Sequence, residues 1–325
     1  MSWDPDEQPK GELSKLAIVR ITKDYLLMSE NPIPGIRLIV SDSIRECHAI
    51  ISGPPDTAYA GAPFLIKIVF PNEYPFKAPF CKFLTTGGGT VRFGPNLYAR
   101  GMICLSILGT WEGPKWAPNL GLSSVLLSIQ SLMSEDAAKN EPGHESAPKH
   151  EINGLNNVLT HEVLRVAVLD QIKSVLSKKF YNDDICEAML EHFRGSFEEH
   201  IERARKHVHL DSSPFAEPYY ARVTDSGRIF RFQLLADKIE EQRNLFLKEI
   251  EGAPSTAAGA SASGGASGSK SASASGGASG GASASGSESA SGSGSASASG
   301  SAGASASGSG AGTELPNLPP SPLSD

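Results

Sequence analysis

Gly94-Pro95-Asn96-Leu97-Tyr98-Ala99-Arg100-Gly101-Met102-Ile103-Cys104-Leu105-Ser106-Ile107-Leu108 carries the most chemistry in this 325-residue chain. An asparagine stands eight residues before a cysteine, and Trp116-Ala117-Pro118 begins twelve residues after it. A thiol is a good nucleophile, and it forms an acyl bond weak enough to pass the acyl group on. Read with a period of two, Ile103, Leu105 and Ile107 share one face, and Met102, Cys104 and Ser106 share the other. If the first face packs, the Cys104 thiol meets a groove or solvent. The competing reading is a small hydrophobe buried in the core, the common fate of a free cysteine. The local pattern leaves both open.

Two chemistries could use such a thiol. A protease needs a histidine to deprotonate it and a third group to orient that histidine. None of the eight histidines lies near Cys104 in sequence, so a fold would have to bring His48 or His144 to it. Thioester exchange asks less of the thiol, because the incoming acyl group is already activated. It then needs a donor for the oxyanion that forms when an amine attacks, and a carboxamide N–H suits that task. Asn96, held by Pro95, could supply it; the alternative is a loop asparagine bonded to its own backbone.

Outward from this stretch, residues 85–120 read as an irregular but ordered segment, rich in Gly, Pro and Trp. Before it lie four short β segments: Ile36–Val40, Glu46–Ser52, Phe64–Phe70 and Phe80–Leu84. Short, turn-rich connections favour an antiparallel meander. In the third segment Phe64, Ile66, Ile68 and Phe70 alternate with Leu65, Lys67 and Val69. Three prolines in residues 71–79 exclude a helix there. Ahead of the strands, a helix is expected from about Glu12 to Ser29, with Ile18, Ile21, Tyr25 and Met28 as its apolar stripe and Lys15, Arg20 and Lys23 off it. Leu122–Met133 reads as a buried helix. After a polar bridge at residues 146–156, three more helices are expected, at about Leu159–Leu176, Asp184–Val208 and Arg228–Ile250, the last with Leu235, Ile239 and Phe246 on its apolar side. From Gly252 the chain is almost wholly Gly, Ala and Ser, which points to disorder. The apolar residues of Leu315–Leu323 near its end form a docking peptide or an incidental terminus.

Composition narrows the function classes. The net charge is −7; one lysine and three acids give the tail −2, leaving −5 for residues 1–251. A mildly acidic body argues against general nucleic-acid binding. No stretch approaches the roughly twenty apolar residues of a membrane span, and the acidic start lacks the apolar core of a signal peptide. Four widely spaced cysteines with no Cys-x-x-Cys read as reduced thiols, pointing to cytoplasm or nucleus. Gly87-Gly88-Gly89 is no phosphate loop, since no Gly-Lys-Ser/Thr follows. His192, His200 and His207 could share a helix side, but with Glu191, Glu198, Glu199 and Arg203 around them they read as a solvated face rather than a metal site. No metal and no cofactor is expected.

Taken together, Tyr74–Pro79, Pro95-Asn96, Gly101–Leu108, Trp116-Ala117-Pro118 and the Leu122–Met133 helix resemble, in order and spacing, the core of a ubiquitin-conjugating enzyme. Thr90–Phe93, Gly109–Pro114, Ser131–Met133, Asn140–Gly143 and a helical C-terminal extension make the large Z-type branch the most similar. The resemblance implies an α+β fold: an N-terminal helix, a four-stranded antiparallel meander, an active-site loop and a central helix, followed by the extension. The expected organisation is a flexible residue 1–11 lead-in, a 12–145 conjugating core, a 146–251 helical extension and a disordered 252–325 tail. It further implies that Cys104 accepts ubiquitin or a ubiquitin-like protein as a thioester from an activating enzyme and passes it to a substrate lysine, usually with a ligase. Asn96 matches the residue assigned to oxyanion stabilisation or loop support. Glu141 or Asn140 would orient the lysine. Phe76, Ala117 and Pro118 match the ligase-facing positions, and Lys15, Arg20 and Lys23 the surface that meets the activating enzyme. Gly94 departs from the pattern, standing where most of the family has histidine. The Cys104–Trp116 interval is longer than usual. A catalytically silent binding module of the same fold, and a cysteine protease, are the alternatives.

Overall fold

The computed structural model describes residues 2–8, 11–215 and 228–252, with side chains up to residue 249. The expected disordered tail and the Leu315–Leu323 peptide lie outside the described residues. Helix α1 (Lys15–Glu30) starts where the Ser14 side chain accepts from the Ala17 N–H, a sequence-encoded cap. Its buried stripe is Ala17, Ile21, Asp24 and Met28. Ile18, expected on that stripe, is 41% exposed, because the residue that packs one turn before Ile21 is Ala17.

Strands β1 (Ile36–Val40), β2 (Glu46–Ser52), β3 (Pro63–Val69) and β4 (Phe80–Phe83) form an antiparallel sheet in sequential order. Cys47 pairs with Ile68, Ala49 with Ile66 and Ile51 with Phe64, while Ile66 and Ile68 meet Phe83 and Cys81 across the other edge of β3. These residues, α1 and helix α2 (Leu122–Ser131) enclose the main core.

The opposite sheet face is also covered, so the simple alternation expected for β3 fails. Only Lys67 in β3 is not fully buried. Ile39, Ile50 and Leu65 pack against Val175, Ile185, Cys186, Ala188 and Met189 of the C-terminal helices. The remaining part of that face, lined by Lys67 and Lys82, is closed by the turn Pro5–Glu7: Lys82 pairs with Asp4 and Asp6 at 2.7 Å, and Lys67 with Asp6 at 2.9 Å. Residues 2–8, expected to be part of a flexible lead-in, are docked in this way.

The first helix of the extension begins earlier than expected. In place of a polar bridge through residue 156, α3 (Lys149–Glu162) runs on through a wider i→i+5 bonded segment (Val163–Asp170) into α4 (Gln171–Ser177). α5 (Asp183–Arg194) and α6 (Phe197–Lys206) divide at Gly195-Ser196 what the sequence suggested was one helix. α7 (Phe232–Gly252) lays Phe232, Leu235, Ala236, Ile239 and Phe246 inward. Its residues and those of α3 and α6 belong to the same buried cluster as the sheet. No described helix is long and apolar enough to cross a membrane.

Candidate active site

Backbone pairing builds the site. Leu97 and Ile103 form an isolated antiparallel bridge, and Met102 bridges to Lys82 of β4, so the segment leading to Cys104 is tied to the sheet. The Cys104 N–H donates to the Asn96 carbonyl at 2.9 Å. Asn96 Nδ2 donates back to the Cys104 carbonyl at 3.1 Å. The two expected residues are therefore joined twice. Asn96 is buried, and its Oδ1 has no partner among the described residues.

Cys104 is only 2% exposed, so it does not lie open in a groove. It is nevertheless no aliphatic core residue. Burial pushes its thiol up from the ordinary range, the Arg92 charge and the Tyr98 phenol pull it down, and the Glu141 carboxylate pushes it up again. The thiol thus has polar neighbours in Arg92, Tyr98 and Glu141. Ser106–Leu108 winds into a short 3-10 turn, which ends the expected alternation just beyond Leu105.

Arg92 was missed by the sequence reading, although it lies two residues before Gly94. Its guanidinium donates to the carbonyls of Gly94 at 3.0 Å and Pro95 at 2.6 Å, pairs with Glu141 at 3.3 Å, and stacks on the Tyr98 ring at 4.0 Å. It clamps the turn that delivers Asn96. Of the two candidates for the lysine-orienting position, Glu141 is the one whose charge reaches Cys104, while Asn140 is exposed at the end of a 3-10 turn. Gly94 has a local cause. Its φ is +110°, and a Cβ there would come within 2.9 Å of the Tyr59 hydroxyl, which is fully buried and donates to the Phe93 carbonyl. A histidine does not fit.

The two flanking loops are locked to each other and to α1. Trp116 Nε1 donates to the Pro75 carbonyl at 2.6 Å, and its ring lies 5.9 Å from that of Tyr74. The Tyr74 hydroxyl donates to Asp24. Phe76 is left 65% exposed, with Pro118 also exposed and Ala117 half-buried. Lys15 and Lys23 are exposed, but Arg20 turns inward: it pairs with Asp24 at 3.0 Å and donates to the carbonyls of Pro118 and Leu120.

The histidines are elsewhere. His48 lies on β2 among Glu46 and Lys67, and His144 approaches Glu151 at 3.8 Å; no histidine is among the charges acting on the Cys104 thiol. The solvated face expected for His192, His200 and His207 is corrected. His200 is fully buried, and His192 donates to the Gly61 carbonyl at 2.8 Å, because α5 and α6 pack on the turn before β3. Among the described residues no three His, Cys, Asp or Glu are grouped to hold a metal ion.

Comparison with known proteins agrees with the geometry. A family model described as ubiquitin-conjugating enzyme matches residues 20–156. The chain is 35% identical over 251 residues to ubiquitin-conjugating enzyme E2 Z of Danio rerio, covering 74% of this chain and 75% of that protein. It is 42% identical over 195 residues to the E2 Z protein of Xenopus tropicalis and 43% identical over 178 residues to that of Homo sapiens, spanning 62% and 50% of their lengths. With its sequential four-stranded sheet, its Asn96–Cys104 pairing and this similarity across three quarters of its length, the chain belongs to the ubiquitin-conjugating enzyme family, a family of transferases, on the Z-type branch.

Proposed function

We propose that Cys104 accepts ubiquitin or a ubiquitin-like protein as a thioester from an activating enzyme and passes it to a lysine of a protein substrate. The observation that carries this reading is the reciprocal Asn96–Cys104 pairing beneath a thiol set among Arg92, Tyr98 and Glu141. The thiolate attacks the activated carbonyl and expels the previous carrier; a lysine amine then attacks the new thioester and the Cys104 thiolate leaves. Arg92 favours the thiolate as nucleophile and as leaving group. Glu141, held by Arg92, is the carboxylate placed to orient the incoming ammonium and help it lose a proton. Asn96 acts as loop support, since its Nδ2 already engages the Cys104 carbonyl.

Phe76 with Ala117 and Pro118 would meet a ligase, and the exposed lysines of α1, Lys15 and Lys23, would meet the activating enzyme. Arg20 serves the fold instead. The test is incubation with activating enzyme, ATP and modifier across several matched pairs, resolved on gels with and without reductant. A reductant-sensitive adduct that becomes reductant-resistant in Cys104→Ser supports the proposal. Absence of any adduct with every pair overturns it.

A further inference from the structure

The insert after Cys104 does more than lengthen a loop. Gly109 takes φ +72°, a left-handed turn that reverses the chain just past the 3-10 segment and sets Thr110 back beside the nucleophile. There the Thr110 hydroxyl donates to the Ile103 carbonyl at 2.6 Å and accepts from the Leu105 N–H at 3.0 Å. The Thr110 N–H donates to the Leu105 carbonyl at 3.2 Å. One side chain thus grips the residues on both sides of Cys104, while Asn96 grips the N–H and carbonyl of Cys104 itself.

From this arrangement we infer that Thr110 is a positioning residue for the Cys104 nucleophile. This rests on the thioester chemistry proposed above, but the geometry stands apart from it. The segment between Ile103 and Leu105 is not part of a continuous strand, so its conformation is held by these two side chains together with the bond from the Cys104 N–H to the Asn96 carbonyl. A hydroxyl is required because the same atom must both donate and accept. Ile103 is 1% exposed, so removing its partner leaves a buried carbonyl unsatisfied and frees the loop to choose another conformation. A nucleophile displaced by even about 1 Å loses rates by up to ~10²-fold.

The experiment compares Thr110→Val, Thr110→Ala and Thr110→Ser in the full chain. One readout is single-turnover thioester formation and discharge to free lysine. The other is the rate at which iodoacetamide alkylates Cys104, followed by peptide mass mapping. Val and Ala are expected to slow loading and discharge by about 10- to 100-fold, while Cys104, released from its sheltered pose, is alkylated several-fold faster. Buried Cys47, Cys81 and Cys186 keep their protection, and Ser restores wild-type behaviour. A merely structural role would expose all four cysteines together, and Ser would not be special. Wild-type transfer and alkylation in Val and Ala overturn the inference. If the wild type fails to load, the thioester proposal fails, and the alkylation arm still decides the role of Thr110.

Discussion

Asn96 and Cys104 hold each other by their backbones as well as by a side chain: Cys104 N–H to Asn96 carbonyl, and Asn96 Nδ2 to Cys104 carbonyl. A carboxamide used in this way fixes the nucleophile before any oxyanion exists. Asn96→Ala should therefore impair loading as well as discharge. The buried Cys104 carbonyl loses its donor at a cost of about 1–3 kcal/mol, which corresponds to roughly 5- to 150-fold in rate where the site must be re-formed. Single-turnover loading and lysine discharge check this. A variant that loads normally and fails only in discharge would mark Asn96 as an oxyanion donor instead.

The pH profile of the thiol follows from its surroundings. Burial raises its pKa, so the reactive thiolate accumulates only as pH climbs past the ordinary thiol range, and the alkylation rate of Cys104 should still be rising there. Arg92→Met removes the charge that favours the thiolate and should move the profile to higher pH. Glu141→Gln removes a charge that opposes it and should move the profile to lower pH. Equal profiles in all three proteins would show that neither side chain acts on the sulfur.

Much of the fold was legible, and the exceptions share a cause. The bounds of β1 and β2 agree with the sequence reading, because turn residues flank both segments and their apolar pattern is local. The nearness of Asn96 to Cys104 was legible from motif spacing, and the two residues are bonded to each other. The failures come from long-range packing. Leu65 looks like the solvent side of a strand until α4 and α5 cover it. Residues 149–157 carry Gly154 and three asparagines, poor helix formers, yet Ile152 and Leu155 bury against the core and carry the helix through. His200 and Arg92 look like surface residues in any local window. Only the fold shows that one is enclosed and the other clamps the active-site turn.

His200 predicts an acid-sensitive extension. Burial, with the nearby Arg203 and His192, lowers its pKa from 6.5 to about 3. The unfolded chain therefore binds a proton at this site between those limits while the folded chain does not. Stability should be complete above pH 6.5 and fall as pH drops toward 3. Glu162 adds a second loss at lower pH. Burial would raise its pKa, but hydrogen bonds from His161 and Arg165 bring it to about 2, so its contribution fades below pH 4.5. Thermal unfolding by circular dichroism from pH 7 to pH 4.5 should show a decline that His200→Gln lessens, the remainder coming from His48 and His192, whose pKa values burial also lowers. An unchanged slope in that variant would assign the decline to other groups.

The apolar seam between the sheet and the extension makes the extension part of the folded body rather than an appendage. Leu65 is fully buried against Val175 and Met189, although it belongs to the conjugating core by sequence. Leu65→Ala or Met189→Ala should each cost about 2–5 kcal/mol, the usual loss for a large buried aliphatic side chain. Leu127→Ala, at a position 47% exposed on α2, should cost within about 0.5 kcal/mol. Because Leu65 and Met189 share one cluster, the double variant should lose less than the two single losses added together. A chain ending at residue 148 should expose Ile39, Ile50 and Leu65 together with the core surface that α3 and α7 cover, and aggregate on expression. Urea titration of the point variants and gel filtration of the shortened chain check this. A shortened chain that is monomeric, with the unfolding midpoint of the full protein, would show that the seam contributes nothing to the stability of the core.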